Sequence, residues 1–195
     1  MRRKSYPMLL VSTLLVGLAF IASIFILANA AAPKEEAQTN EEVTKEEFIE
    51  RIAPHARELQ EAYGVLPSII IGQAILESNW GQSQLASKYN NLFGIKAYGD
   101  VKKISLKTQE FVNEEWITID GDFRVYDSWE ESMDDHTNLF LNGTSWNPQL
   151  YQGVIAAENY RAAAQALQDA GYATDPGYAQ KVIEMIETYQ LNKYD

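Results

Sequence analysis

The sequence predicts an α+β fold that is mainly helical: a helical body carrying a small antiparallel β-hairpin lobe, preceded by an N-terminal signal-anchor helix. Three observations carry this prediction. Apolar residues recur at helical spacing on both sides of the chain's middle. Between those stretches, roughly residues 104–126, β-branched and aromatic residues take over, with polar residues among them. At the N-terminus an uncharged apolar run stands directly behind three cations.

Arg2, Arg3 and Lys4 precede that run, which extends from Met8 to Ala28. A helix of about 20 apolar residues covers the roughly 30 Å hydrocarbon core of a bilayer. A signal-peptide core is shorter, about 7–15 residues. Ala28-Asn29-Ala30 is nevertheless an acceptable small-x-small cleavage site. Both a single-pass anchor with its N-terminus inside and a cleaved leader are therefore open, and either exports everything after Ala30. From Ala31 to about Glu42 there is no large apolar residue, so residues 31–43 read as a solvated linker.

The folded domain, 44–195, opens at Thr44. Thr44 and Glu47 have capping-box spacing, and Phe48, Ile49, Ile52, Ala56 and Leu59 follow on one helical face. Pro54 sits inside this helix and Gly64 is placed to end it. Pro67 then occupies a favoured first helical position, and Ser68 to Glu77 is apolar nearly all round, as in a helix buried on most faces. Gly72 within it implies close approach of a neighbour. Asn79, Gly81 and Ser83 break the pattern. Ile104–Val112 and Trp116–Tyr126 read as strands, with turns near Asn113 and at Asp120-Gly121. Helices return at Ser128, where Glu131 completes a second capping box, at Asn159–Ala170 before Gly171, and from Asp175 (cap) and Pro176 to about Leu191. No internal repeat interrupts this order, which leaves room for a cleft between body and lobe.

Composition excludes several functions. Without the three N-terminal cations, 13 Lys and Arg face 27 Asp and Glu, a formal charge of −14 on the exported part. Such a surface repels nucleic acid and anionic lipid, whereas an uncharged substrate is indifferent to it. There is no cysteine, so thiol chemistry is impossible. His55 and His136 are the only histidines, too few for the usual ligand set of a zinc-dependent amidase. Asp134-Asp135-His136 has the composition of a metal site, but adjacent side chains on a helix splay apart, and a solvated face is expected there.

Glu77 is the sharpest chemical signal. It follows Ile69, Ile70, Ile71, Ala74, Ile75 and Leu76, the most apolar stretch of the exported part. Desolvation and the negative end of the helix dipole both disfavour its charged form, which raises its pKa toward what a general acid needs. A Glu on an exposed strip, or one paired with a lysine, is the plainer alternative. Ser78, Asn79, Trp80, Gly81 and Ser83 shift the balance, because polar groups beside an aromatic face suit sugar binding.

The run from Gln73 through Glu77-Ser78-Asn79-Trp80-Gly81 to Ser83, followed by Tyr89-Asn90-Asn91-Leu92-Phe93-Gly94-Ile95-Lys96, closely resembles the exported glucosaminidase autolysins of glycoside hydrolase family 73. The resemblance continues through Thr108-Gln109-Glu110-Phe111, Phe123-Arg124-Val125-Tyr126 and Gly171-Tyr172-Ala173-Thr174-Asp175-Pro176. It implies a lysozyme-like fold that acts as an endo-β-N-acetylglucosaminidase on peptidoglycan glycan strands, as a monomer, at the outer face of the cytoplasmic membrane or in the wall. It implies no metal or organic cofactor. By motif, Glu77 is the general acid, Glu110 the second carboxylate and Tyr172 the late tyrosine, with Tyr178 the nearby alternative. Glu114, Glu115, Asp120 and Asp122 compete with Glu110. Ser78, Asn79, Trp80, Asn90, Asn91, Phe93 and Tyr178 are the expected substrate-binding residues, although Trp80 and Phe93 could equally be core aromatics and the asparagines turn formers. Phe123 and Tyr126 are expected in the core, and Asp175 as a cap. A muramidase or lytic transglycosylase on the same fold is the rival activity, and a non-catalytic wall-binding domain the rival class.

Overall fold

The computed structural model describes residues 44–112 and 115–195, excepting the side chains of 109–117. The apolar run at 8–28, the linker at 31–43 and the turn near Asn113 lie outside the described residues. Among those described, no helix is long and apolar enough to cross a membrane.

Thr44 opens α1 (Lys45–Tyr63) with the expected reciprocal box: its Oγ1 accepts from the Glu47 N–H, and the Glu47 carboxylate accepts from the Thr44 N–H at 2.9 Å. The helix buries Phe48, Ile49, Ile52, Ala56 and Leu59, passes through Pro54, and ends at Gly64. Helix α2 (Pro67–Ser78) starts on Pro67, as the sequence predicts. Leu66 has no side-chain acceptor to cap it. Asp195 supplies one from the far end of the chain, accepting from the Ser68 N–H and Oγ–H, each at 2.8 Å. All residues from Pro67 to Ile75 are buried. Each isoleucine so buried contributes roughly 2 kcal/mol, and α2 becomes the central rod against which α1, the helices Tyr160–Asp169 and Tyr178–Thr188, and the final turn pack.

The hairpin pairs β1 (Lys103–Val112) with β2 (Glu115–Arg124), in register from Lys103↔Arg124 to Val112↔Glu115. Strand β2 runs straight through Asp120-Gly121, which corrects the turn expected there. Gly121 sits in a crowded place: a Cβ would lie 3.2 Å from side-chain atoms of Phe123 and Thr108, and 2.7 Å from Lys96 Nζ, so those side chains would have to shift to admit one. The lobe is fastened at its base. Phe123 bridges to Lys96, the Ala97 N–H donates to the Asp122 carbonyl, and the Arg124 N–H donates to the Ile95 carbonyl. Phe123 and Tyr126 are buried, as expected.

Two short helices carry no periodic signal and were not anticipated: α3 (Gln84–Tyr89), capped by Ser83, and the single turn α5 (Gln152–Ile155). In α4 (Trp129–Asn142) only half of the expected box forms. Ser128 accepts from the Glu131 N–H, but the Glu131 carboxylate accepts from the Asp127 N–H at 2.7 Å. Asn159 caps α6 (Tyr160–Asp169). Helix α7 (Tyr178–Thr188) begins beyond the Asp175-Pro176 start that the sequence suggests. Asp175 accepts instead from the Gly177 N–H at 2.8 Å and pairs with Lys181 at 2.5 Å, forming a turn that leads into the helix. A 3-10 turn, Leu191–Tyr194, closes the body.

Candidate active site

Glu77 occupies the last turn of α2, and the chain leaves that helix through two consecutive left-handed residues, Asn79 (φ 50°) and Trp80 (φ 62°). Left-handed backbone costs a non-glycine residue roughly 1–2 kcal/mol, so something must hold it. Ser78, fully buried, does so: its hydroxyl donates to the Ala74 carbonyl at 2.5 Å and accepts the Gly81 N–H at 2.7 Å. The Ser78-Asn79-Trp80-Gly81 motif is thus a backbone clamp that fixes where α2 stops and where the Glu77 side chain is presented.

The Glu77 carboxyl is half-buried and has a single described donor. The Tyr178 hydroxyl, from the first residue of α7, donates to Oε1 at 2.9 Å. The Gln73 amide, one turn before Glu77 on α2, donates to the Tyr178 oxygen at 2.9 Å. Tyr172 stacks against Tyr178, with ring centroids 5.5 Å apart and planes 27° from parallel. Behind Tyr172 stands His136, its Nε2 3.0 Å from the Tyr172 hydroxyl and its ring stacked on Phe93 at 3.9 Å.

These surroundings set the protonation states. Burial pushes the Glu77 pKa up from 4.5 to about 7, and the Tyr178 hydrogen bond and the Lys181 charge oppose the shift without cancelling it. The net effect corresponds to roughly 3 kcal/mol against the carboxylate form. Burial and the nearby Glu77 charge push the phenols of Tyr172 and Tyr178 well above their ordinary value, so both stay protonated. Burial holds His136 down at about 3, hence neutral. The outcome is one carboxyl group able to carry a proton near neutral pH, braced by groups that carry no charge of their own.

The expected site residues divide sharply. Glu77, Tyr178 and Tyr172 come together, but Tyr178, not Tyr172, touches the carboxyl; Tyr172 is 1 % exposed and faces His136. Asn79 is exposed beside Glu77 in sequence. Phe93 is completely buried against His136, which corrects the expectation of a sugar platform. Trp80 is partly buried, edge-on to Phe48 and Tyr189 with Lys45 over its ring, so packing rather than an open face occupies it. Asn91 is 1 % exposed: its amide donates to the carbonyls of Ile95 and Arg124 and its oxygen accepts the Ile95 N–H. Asn90 ends α3 in a left-handed conformation and donates to the Tyr126 carbonyl at 3.0 Å. Both asparagines fasten the lobe to the body. Glu110 holds a place in β1 opposite Ile117; its side chain, with those of Glu114 and Glu115, lies outside the described ones. Asp122 pairs with Lys103 and Ser105, and Asp120 with Lys107, within the lobe.

His136 contradicts the solvated face expected for Asp134-Asp135-His136. It is fully buried, while Asp134 bonds His55 and Asp135 accepts from Arg124 (2.7 Å) and the Tyr126 hydroxyl (2.6 Å). The signal was present in Trp129, Met133, His136 and Phe140, which form one helical stripe. Gln73 was also overlooked as a site residue. Its spacing of four from Glu77 places both on one helix face. Among the described residues, no group of three His, Cys, Asp or Glu is placed to hold a metal. A groove of about 270 Å³ lined by Glu46, Ile49, Tyr189 and Tyr194, among others, includes none of the residues around Glu77.

A glutamate of raised pKa in the last turn of a buried helix, in a mainly helical body that carries a two-stranded lobe, fits a glycoside hydrolase of the lysozyme-like kind. The family model described as mannosyl-glycoprotein endo-beta-N-acetylglucosaminidase matches residues 53–191. The chain belongs to this glucosaminidase family, glycoside hydrolase family 73. It is 47 % identical over 188 residues to the exo-glucosaminidase LytG of Bacillus subtilis, covering 93 % of this chain and 67 % of that protein. It is 39 % identical to a probable N-acetylmuramidase of Lactococcus lactis subsp. cremoris, covering 94 % of this chain but only 43 % of the relative. Among solved structures, the catalytic domain of the autolysin Auto from Listeria monocytogenes superposes with a TM-score of 0.72 at 37 % identity, covering 86 % of this chain and 92 % of that one.

Proposed function

We propose that the chain hydrolyses the β-1,4 bond after N-acetylglucosamine in peptidoglycan glycan strands, with Glu77 as the general acid. The observation that carries this reading is the Glu77 carboxyl itself, raised to about 7 by burial and oriented by Tyr178. Glu77 gives its proton to the leaving glycosidic oxygen as the bond from the anomeric carbon breaks. Water adds to that carbon and releases a proton to a base. Glu110 is the proposed base, since glycosidases usually employ two carboxyl groups; the substrate's own acetamide is the alternative nucleophile. The tyrosine role moves to Tyr178 as the contact to Glu77, with Tyr172 supporting it from behind. An N-terminal segment that stays in the membrane would confine the enzyme to the wall layers nearest the bilayer, and its removal would free it into the wall.

The test is digestion of purified peptidoglycan by the full chain beside its Glu77→Gln variant, with mass spectrometry of the products. The expected fragments end in N-acetylglucosamine at the new reducing end and disappear with the variant. The name of the Lactococcus relative favours a second reading, a muramidase, which would leave N-acetylmuramic acid at that end instead. Anhydro-muramoyl ends would indicate a transglycosylase. Fragment length separates internal cutting, the expectation here, from the terminal cutting that the name of the Bacillus relative describes.

A further inference from the structure

Behind Glu77, the sequence of donors matters as much as the distances. Gln73 is completely buried, and its Nε2 donates to the Tyr178 oxygen at 2.9 Å. An amide nitrogen can only donate. With its oxygen so engaged, the Tyr178 hydroxyl directs its proton onward to Glu77 Oε1, also at 2.9 Å. A carboxyl oxygen that accepts such a bond is poorly placed to carry the acid's proton.

We propose that Gln73 is a positioning residue that fixes the direction of the Gln73–Tyr178–Glu77 hydrogen-bond chain, so that the working proton of Glu77 resides on Oε2, the oxygen turned away from Tyr178. The arrangement carries a visible cost. Among the described residues, Gln73 Oε1 is buried with no hydrogen-bond partner, an unfavourable setting for a carbonyl oxygen. A methionine of similar length would carry no unpaired oxygen, so packing alone does not account for a glutamine here. Proximity supplies the rest: Gln73 and Glu77 share one face of α2 four residues apart, and Tyr178 spans them from α7. The direction has a chemical consequence. A donor aimed at Oε1 favours the carboxylate form, so it restrains the rise that burial imposes and keeps the acid able to release its proton.

Resting on the assignment of Glu77 as the acid, the proposal is tested by a readout that needs no turnover. The midpoint of Glu77 is followed by carbon-13 NMR of labelled glutamate in the full chain, for the wild type, Gln73→Met and Gln73→Glu. Gln73→Met keeps the shape and removes the donor, and its Glu77 midpoint is expected to rise by about half a unit to one unit. In a Tyr178→Phe background, where the chain is already broken, Gln73→Met is expected to add nothing. Gln73→Glu, nearly isosteric and the fallback if the methionine variant does not fold, is expected to raise the midpoint further, because its carboxylate would take the Tyr178 proton for itself. An unchanged midpoint in a folded variant overturns the proposal. A lowered midpoint also overturns it, since the chain would then run the other way, from a protonated Glu77 through Tyr178 to the Gln73 carbonyl. The same variants assayed on peptidoglycan separate the two levels. A shifted midpoint with no wild-type digestion sinks the proposed function and leaves the Gln73 role standing; digestion with an unshifted midpoint does the reverse.

Discussion

The Tyr178 hydroxyl donates to Glu77 Oε1 across 2.9 Å, joining two residues 101 positions apart. One ends a helix that is apolar on almost every side, and the other begins the helix that packs against it. Tyr172, the tyrosine that the motif singles out, lies a ring's thickness behind.

This order of the two tyrosines gives a first expectation. Tyr178→Phe removes a hydrogen bond to a charged or chargeable group, worth about 1.5–3 kcal/mol, and should lower kcat/KM roughly tenfold to a hundredfold. Tyr172→Phe loses only the contact with His136 and should cost less. Steady-state kinetics on peptidoglycan fragments decide between them, and a larger loss at Tyr172 would return the role to the residue the motif chose.

Activity should fall on the alkaline side. A general acid works only while protonated, so kcat/KM is expected to decline with a midpoint near the Glu77 value of about 7. Measured across pH 5 to 9, a profile flat through pH 9 would show that another group supplies the proton.

Stability should carry the same signature. The folded Glu77 holds its proton up to about pH 7, while the unfolded one releases it near 4.5. Between those values the native state binds the extra proton, so stability falls as pH rises. Glu77→Gln cannot ionise and escapes this loss. It should melt above the wild type at pH 8, by an amount corresponding to about 3 kcal/mol at most, with the difference vanishing below about pH 4.5. Calorimetry at the two pH values reads it directly.

Asn91 should behave as a structural residue. Its side chain makes three bonds to the backbone of the segment joining body and lobe. Asn91→Ala takes the acceptor from the Ile95 N–H and one donor each from the Ile95 and Arg124 carbonyls, while the Ile95 carbonyl keeps its bond from the Arg124 N–H. Urea denaturation should show a loss of about 1–3 kcal/mol; an Asn91→Ala protein of normal stability but weakened glycan binding would restore it to the substrate.

Much of this was legible in the order of residues. Thr44 with Glu47, Pro67, Gly64 and Asn159 are local punctuation, and local hydrogen bonds and sterics place helix ends with little help from afar. Glu77 stood out because a carboxylate after a run of isoleucines is followed by polar groups beside an aromatic, Ser78, Asn79, Trp80 and Gly81. Other readings failed where a residue's chemistry admits several settings. Asp120-Gly121 has the composition of a tight turn, yet pairing with Lys107 and Leu106 across the hairpin keeps both residues in β2. Asp134-Asp135-His136 looked solvated because two neighbours are charged, while the helical stripe through Met133 and Phe140 takes the histidine inside.

The sequence by itself determined the helical body, the two strands between its halves, the candidate acid and the family, because periodicity, caps and contiguous motifs are properties of neighbours along the chain. Only the tertiary structure decided that Tyr178 rather than Tyr172 meets Glu77, that Ser78, Asn91 and Phe93 support the site from within, and that Gln73 stands behind the tyrosine. Those relationships depend on how α7 lies against α2 and how the lobe is tied down. Such distances are set by the packing of side chains far apart in sequence, and no local pattern records them.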